Sequence, residues 1–238
     1  MFGFRPHMSA QDILLQLNRD IIQPTYSTHN DRAILALDLK GAFDNVKHES
    51  ILTNLSDTHC CRKTFAYIRD FLSDRMAIIR IDDEEHGPFK MGTRGTQQGA
   101  VLSTLLFNIA TMKLPQVLAQ VEGVHHALYA DDITIWANQG SIGEMEDRLQ
   151  QAASIVDAYA TQCGLQCAPA KSELLHIRAN LKDRTTLDLT LSGGFHSGGL
   201  RDPNLRPSHT QQNQKRNYVR QVKQNWGTGR TYDPQSLK

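Results

Sequence analysis

Ser9 and Asp12 have the spacing of a capping box, and Ile13, Leu14, Leu17 and Ile21 recur behind them at helical intervals. That pattern predicts a helix from about Ala10 to Ile22. AILALDL at 33–39 is an apolar run bounded by Asn30-Asp31 and Gly41, too short for a separate helix, and reads as a buried strand. Stretches 47–55 and 63–72 have helical periodicity. MAIIRI at 76–81 and HGPFKMG at 86–92 read as a hairpin across the acidic turn Asp82, Asp83, Glu84, Glu85. From Val101 to Leu118 the apolar positions fit one helix, bent or shortened by Pro115. HHALYADDITIWAN then reads as strand, tight acidic turn, strand. Glu144 to Gln162 is an amphipathic helix with Met145, Leu149, Ala152, Ile155, Val156 and Tyr159 on one face, and SELLHIR at 172–178 is a further strand. Helices and strands interleave without a βαβ repeat, so the predicted class is α+β, an antiparallel sheet packed on helices.

Beyond Leu191 the pattern ends. Residues 192–238 are rich in Gly, Pro, Asn and Gln, without a sustained apolar period, and are expected to be a disordered tail. Charge divides at the same place. Eight Lys and Arg of the tail stand against Asp202 and Asp233, so residues 1–191 are net acidic although the whole chain carries only +1. Hydrophobic residues make up 39% and charged residues 21%, which suits a folded body and excludes a wholly disordered chain. No run is expected to reach the ~18 apolar residues of a membrane span, so a soluble, intracellular protein is predicted, nucleus or cytoplasm unresolved. Cys60, Cys61, Cys163 and Cys167 fit neither a disulfide framework nor paired zinc spacing, and read as reduced thiols.

The acidic positions carry the candidate chemistry. Asp38 ends a buried strand, and Asp131-Asp132 sits in a strand turn. If the two strands are neighbours, three carboxylates meet at one end of the sheet and repel unless a cation neutralises them. Hard oxygen ligands suit Mg²⁺, and two such ions would serve an in-line displacement at phosphorus. An aspartate after a strand also caps helices, and Asp-Asp also fills hairpin turns, so neither segment is sufficient alone.

Three segments in order change that balance. DLKGAFDNV at 38–46, RGTQQGAVLSTLLFN at 94–108 and YADD at 129–132 resemble motifs A, B and C of reverse transcriptases of the non-LTR retrotransposon (LINE) type. FGFRPHMSAQDIL at 2–14 resembles a motif from the fingers of these enzymes, and GLQCAPAKSELLHI at 164–177 their motif D. The resemblance implies a reverse transcriptase palm over 33–191, partial fingers over 1–32 and no thumb. It implies Asp38 and Asp131 as metal ligands with Asp132 as the accompanying carboxylate, and the Leu39 carbonyl as a backbone ligand. Phe43 falls where the family places a steric gate against a ribose 2′-hydroxyl, or else is core. Gln98 and Gly99 match residues that pack on the incoming nucleotide. Lys171 matches a proton donor to departing pyrophosphate, or is a solvated lysine, and Arg5 a phosphate contact.

The implied activity is RNA-directed DNA synthesis: transfer of deoxynucleoside triphosphates to a primer 3′-hydroxyl on an RNA or DNA template, with two Mg²⁺ or Mn²⁺ ions and no membrane. Two positions depart from the family pattern. Gln97 and Thr104 stand where prolines are usual, which predicts a looser nucleotide-facing loop. The rival expectations are a catalytically inactive remnant that at most binds nucleic acid, and a metal-dependent nuclease.

Overall fold

The computed structural model of the 238-residue chain describes residues 8–22, 30–97, 99–179, 187–191 and 195–196. Arg5, Gln98 and nearly all of the 192–238 tail therefore lie outside the described residues. In chain order the elements are α1 (Ala10–Leu17) running into a π-helical turn (Asn18–Ile22), β1 (Arg32–Leu37), α2 (Ala42–Asn45), α3 (His48–Asp57) and α4 (Arg62–Leu72). Then come β2 (Met76–Ile81), β3 (Glu84–Lys90), α5 (Val101–Thr111), α6 (Leu114–Leu118), β4 (His125–Tyr129), β5 (Asp132–Ala137), α7 (Ile142–Gln162) and β6 (Glu173–Ile177). The short strands β7 (Thr190–Leu191) and β8 (Phe195–His196) close the series. The helix expected over Ala10 to Ile22 is thus present, but its last turn is π-helical.

Four strands form one antiparallel sheet in the order β4-β5-β1-β6. β1 pairs with β5 from Ala33↔Ala137 to Leu37↔Ile133, and with β6 from Arg32↔Ile177 to Ala36↔Glu173. Strand alternation sorts the side chains by face. Ala33, Leu35, Leu37, Ile133 and Ile135 join Leu106 and Phe107 of α5 and Leu149, Ala153 and Val156 of α7 in the main core. Trp136 points the other way, into a smaller cluster with Ile13 of α1 and Ile21 of the π-helical turn. The Trp136 indole N–H donates to Asp20 at 3.3 Å, and Asn138 donates to the Asp20 carbonyl at 3.2 Å, so α1 and its turn cover one half of that sheet face. The other half, toward Asp38 and Asp132, stays open: Ala36 is exposed and Thr134 half-buried.

The long apolar stretch Val101–Leu118 has the length and hydropathy of a membrane span, contrary to expectation. It forms two helices, α5 and α6, because Pro115 lacks an N–H and its ring opposes the carbonyl four residues earlier. Leu106, Phe107, Ala110, Leu114 and Leu118 are buried in the main core, while Val101 and Leu105 are exposed. The break strands carbonyls at the end of α5, and side chains from two other helices take them up. Asn54 Nδ2 donates to Ile109 O at 3.0 Å and to Ala110 O at 2.9 Å, while the Tyr159 hydroxyl donates to Ala110 O at 2.9 Å. α3 and α7 are thereby tied to the same turn of α5.

α7 starts on a reciprocal capping box: Ser141 N donates to Glu144 Oε2 at 2.7 Å, and Glu144 N donates to Ser141 Oγ at 3.3 Å. Donation to Glu144 Oε2 from the Ser141 N–H, and from its hydroxyl at 3.0 Å, holds the Glu144 carboxyl below its ordinary range. The β2–β3 hairpin forms as expected, but its turn narrows to Asp82-Asp83, with Asp82 at φ +54°. It pairs with no other described strand, and Met76, Ile78, Ile79, Ile81 and Phe89 on it are exposed. All four cysteines are free thiols.

Asn54→Ala leaves a buried carbonyl of α5 short of a donor and is expected to destabilise the chain by about 1–3 kcal/mol. The measurement is urea unfolding; an unshifted midpoint would remove the capping role.

Candidate active site

Asp38 is the first residue beyond β1, where the strand leaves its partners and is strapped to the segment after α7. The Ala168 N–H donates to Asp38 O at 2.8 Å, Lys40 N–H to Gln166 O at 2.8 Å, and Asp38 N–H to Ser172 Oγ at 3.4 Å. Leu39 and Cys167 face each other between those bonds, so the strap leaves the Leu39 carbonyl outside its ladder. Burial pushes the Cys167 thiol up to about 12, which keeps it neutral in this packing role. Gly41 then turns the chain at φ +55° into α2, and the Asn45 side chain donates to Gly41 O at 2.9 Å.

The second acidic segment is a two-residue turn, Ala130-Asp131, closed by the Tyr129↔Asp132 pair. Ala130 lies at φ +55°, a left-handed conformation that costs a residue with a Cβ about 1–2 kcal/mol. Asp132 opens β5. Since Leu37↔Ile133 is the last pair between β1 and β5, one further step sets Asp38 opposite Asp132, and alternation puts both on the open half of the sheet face.

Partial burial, then the neighbouring charges of Asp131 and Asp38, push the Asp132 carboxyl above its ordinary range. Asp38 Oδ2 is buried and accepts no well-aligned hydrogen bond; the group facing it is the Lys171 ammonium, 3.3 Å away on a side chain 73% exposed. A buried carboxylate oxygen with two further carboxylates near it suits a divalent cation. Among the described residues no three His, Cys, Asp or Glu side chains converge into a ready metal cluster.

The third segment docks beside α2. Lys47 pairs with Arg94, Gly95 N–H donates to Val46 O at 2.8 Å, and Thr96 N–H donates to Phe43 O at 2.7 Å. Gly95 has φ +76°, and a Cβ there would stand 2.6 Å from the Asp44 carbonyl oxygen, so only glycine permits this approach. Phe43 is half-buried, its ring 5.1 Å from that of Phe107 and tilted by 37°. Gly99 lies at φ +84° with no heavy atom within 4 Å of where a Cβ would be, an exposed backbone open to a ligand.

At Gln97, where a proline is usual, the carbonyl accepts from the Ser103 hydroxyl at the start of α5 at 2.6 Å. Thr104 bonds back to Val101 O at 3.1 Å. Sequence reasoning missed Ser103, Ser172, His48 and Arg75. Each acts through a backbone group distant in sequence or set by a turn, and none carries a local motif. Asp38, Asp131, Asp132, Lys171 and Leu39 come together at one end of the sheet; Phe43 and Gly99 belong to the adjoining segments; Arg5 and Gln98 are outside the described residues.

The family model described as reverse transcriptase (RNA-dependent DNA polymerase) matches residues 1–221, past the change in composition at Leu191. The probable RNA-directed DNA polymerase from transposon BS of Drosophila melanogaster is 26% identical over 175 residues, 72% of this chain and 19% of that protein. The putative 115 kDa protein in type-1 retrotransposable element R1DM, also of Drosophila melanogaster, is 28% identical over 152 residues, 63% of this chain and 14% of that protein. A retrovirus-related Pol polyprotein from type-1 retrotransposable element R2 of Nasonia vitripennis is 28% identical over 161 residues, 63% of this chain and 15% of the polyprotein. The chain therefore spans less than a fifth of these relatives.

In architecture it is similar to apo telomerase from Candida tropicalis truncated from its C-terminal domain, with a TM-score of 0.56 at 11% identity over 75% of this chain and 37% of the other. The Candida tropicalis telomerase in complex with a fragment of telomeric RNA gives a TM-score of 0.55 at 11% identity, over 89% of this chain and 37% of that one. At such identity the likeness establishes the fold, an α+β arrangement with the antiparallel sheet described above. Family model, relatives and fold agree, and the chain belongs to the reverse transcriptase (RNA-dependent DNA polymerase) family, among retrotransposon proteins of the non-LTR type.

Proposed function

We propose that this chain is the palm, with part of the fingers, of an RNA-directed DNA polymerase that extends a primer 3′-hydroxyl with deoxynucleoside triphosphates on an RNA or DNA template. The observation that carries the reading is the approach of Asp38 to Asp132 at the open half of the sheet, where Asp38 Oδ2 is buried with the Lys171 ammonium 3.3 Å away. Asp38, Asp131 and Asp132 are the residues that would hold a pair of Mg²⁺ ions, with the Leu39 carbonyl as a further oxygen. When bound, such a pair lowers the pKa of the attacking hydroxyl and stabilises charge on the leaving phosphate oxygen.

The chain's own residues supply the rest. Backbone bonds from Ala168 and to Ser172 fix the stretch of backbone from which the Asp38 carboxylate projects. Phe43, backed by Phe107, presents a ring that a ribose 2′-hydroxyl would strike. Gly99 lets backbone approach the nucleotide closely. Lys171 carries on Nζ a proton that departing pyrophosphate can take.

Asp131→Asn is expected to abolish primer extension on oligo(dT)-primed poly(rA) with Mg²⁺; retained incorporation would remove the metal assignment. A folded, unmutated chain that incorporates nothing would favour a remnant that only binds nucleic acid. Phe43→Ala is expected to raise incorporation of ribonucleotides relative to deoxynucleotides by about tenfold or more. Unchanged sugar selectivity would remove the gate. A third expectation needs no activity. Because the folded-state pKa of Asp132 is raised, its contribution to stability is present below the ordinary carboxylate range and lost as pH rises through the raised value. With chelator present, Asp132→Asn is therefore expected to raise the thermal midpoint at pH 7, the gain closing on acidification below that range; a gain independent of pH would contradict the charge crowding.

A further inference from the structure

Arg75 lies in the link between α4 and β2, at the base of the exposed hairpin, and its side chain turns back toward the segment after β3. Its Nη2 donates to Gly95 O at 2.9 Å and to Arg94 O at 3.2 Å. Its own carbonyl accepts from Met91 N–H at 2.9 Å. The same Gly95 oxygen is met by His48 Nε2 at 2.8 Å, and His48 is buried at the start of α3. A carbonyl has two lone pairs, so guanidinium and imidazole can both donate to it, which requires the tautomer with the proton on Nε2. Burial, opposed only in part by this bond, lowers the His48 pKa and keeps the ring neutral beside the guanidinium, 3.2 Å away.

The neighbouring amides give the contact its consequence. Thr96 N–H, next along the chain, donates to the carbonyl of Phe43, and Gly95 N–H donates to Val46 O. The oxygen gripped by Arg75 and His48 and the amide that holds Phe43 thus belong to one peptide unit. Gly95 is already pressed on Asp44 so closely that a Cβ there would overlap its carbonyl oxygen. Beyond Thr96 the chain continues through Gln97 to the open backbone at Gly99.

We propose that Arg75, with His48, clamps the peptide between Gly95 and Thr96 and so sets the nucleotide-facing loop in register with Phe43. Arg75 is thereby a positioning residue for nucleotide binding. Its effect on nucleotide affinity rests on the polymerase reading above; the clamp itself does not.

The test uses the full chain carrying Arg75→Met, which keeps length and removes the donors, and Arg75→Lys, which keeps charge and one donor group. Hydrogen exchange over residues 93–97 is measured beside steady-state incorporation of thymidine nucleotide on primed poly(rA). For Arg75→Met, exchange at Gly95 and Thr96 is expected to quicken by about tenfold, with α7 and the four-stranded sheet as protected as before. The KM for nucleotide is expected to rise by about tenfold while kcat stays within about twofold, with Arg75→Lys intermediate in both. A merely structural arginine would instead loosen α7 and the sheet together with 93–97, or leave KM unmoved; either result overturns the proposal, as does unchanged exchange over 93–97. Should Arg75→Met fail to fold, Arg75→Lys decides, with faster exchange confined to 93–97 supporting the clamp and the unmutated rate overturning it. If the unmutated chain incorporates no nucleotide, the polymerase reading falls, and the exchange data alone decide the clamp.

Discussion

A slip of one residue between β1 and β5 would turn the apolar set of one of them, Leu35 and Leu37 or Ile133 and Ile135, out to solvent and carry that strand's aspartate, Asp38 or Asp132, toward the core, because side chains alternate along each strand. The hydrophobic cost of that slip fixes the register, and the register brings two carboxylates from distant parts of the chain to one sheet end. Burial of Leu37 and Ile133 in effect holds Asp38 near Asp132 against their mutual repulsion. Each buried aliphatic side chain is worth about 1.5–3 kcal/mol, and several act together, so the core outweighs the crowding of like charges at its edge.

The crowding is eased from outside the sheet. Ser172 and Ala168 hold the backbone of Asp38, and Lys171, between them in the same segment, sets its ammonium near Asp38 Oδ2. A single loop after α7 therefore supplies both the strap and the counter-charge. It can do so because α7 returns the chain along the helical layer and β6 enters the sheet beside β1. On the other side of β1, α1 and its π-helical turn cover only the half of the face that contains Trp136, leaving the carboxylate half accessible.

Docking of Arg94–Thr96 onto Phe43–Lys47 joins a second pair of distant segments by the same logic, with backbone hydrogen bonds in place of side-chain burial. Glycine is needed there for space, since Gly95 lies against the Asp44 carbonyl. The break at Pro115 has a comparable outcome: carbonyls released at the end of α5 become anchors for Asn54 and Tyr159, so a local interruption ties three helices together. The likeness in fold to telomerase at 11% identity fits a scaffold specified by pattern and register more than by particular core residues.

Much of this was legible in the chain. The apolar pattern marked β1, the strands around the β4–β5 turn and the long helix α7, because each buries apolar positions in the core at the period of its backbone, and strand-forming residues either side of an acidic turn marked the exposed β2–β3 hairpin. The order of the acidic and glycine-rich segments carried the family and the candidate carboxylates, since those positions are constrained by chemistry and not by packing. Pro115 marked the interruption in Val101–Leu118, but the sequence alone did not disclose the capping of α5 from α3 and α7, the π-helical end of α1, or the strap on Asp38. Nor did it mark Arg75 and His48 at Gly95. These all depend on a backbone carbonyl or amide meeting a side chain or another backbone group that is brought to it only when the sheet and helices pack. Backbone groups are the same at every residue, so a sequence records which chemistry is available, and the tertiary fold alone decides which of those groups are left without a partner and what reaches them.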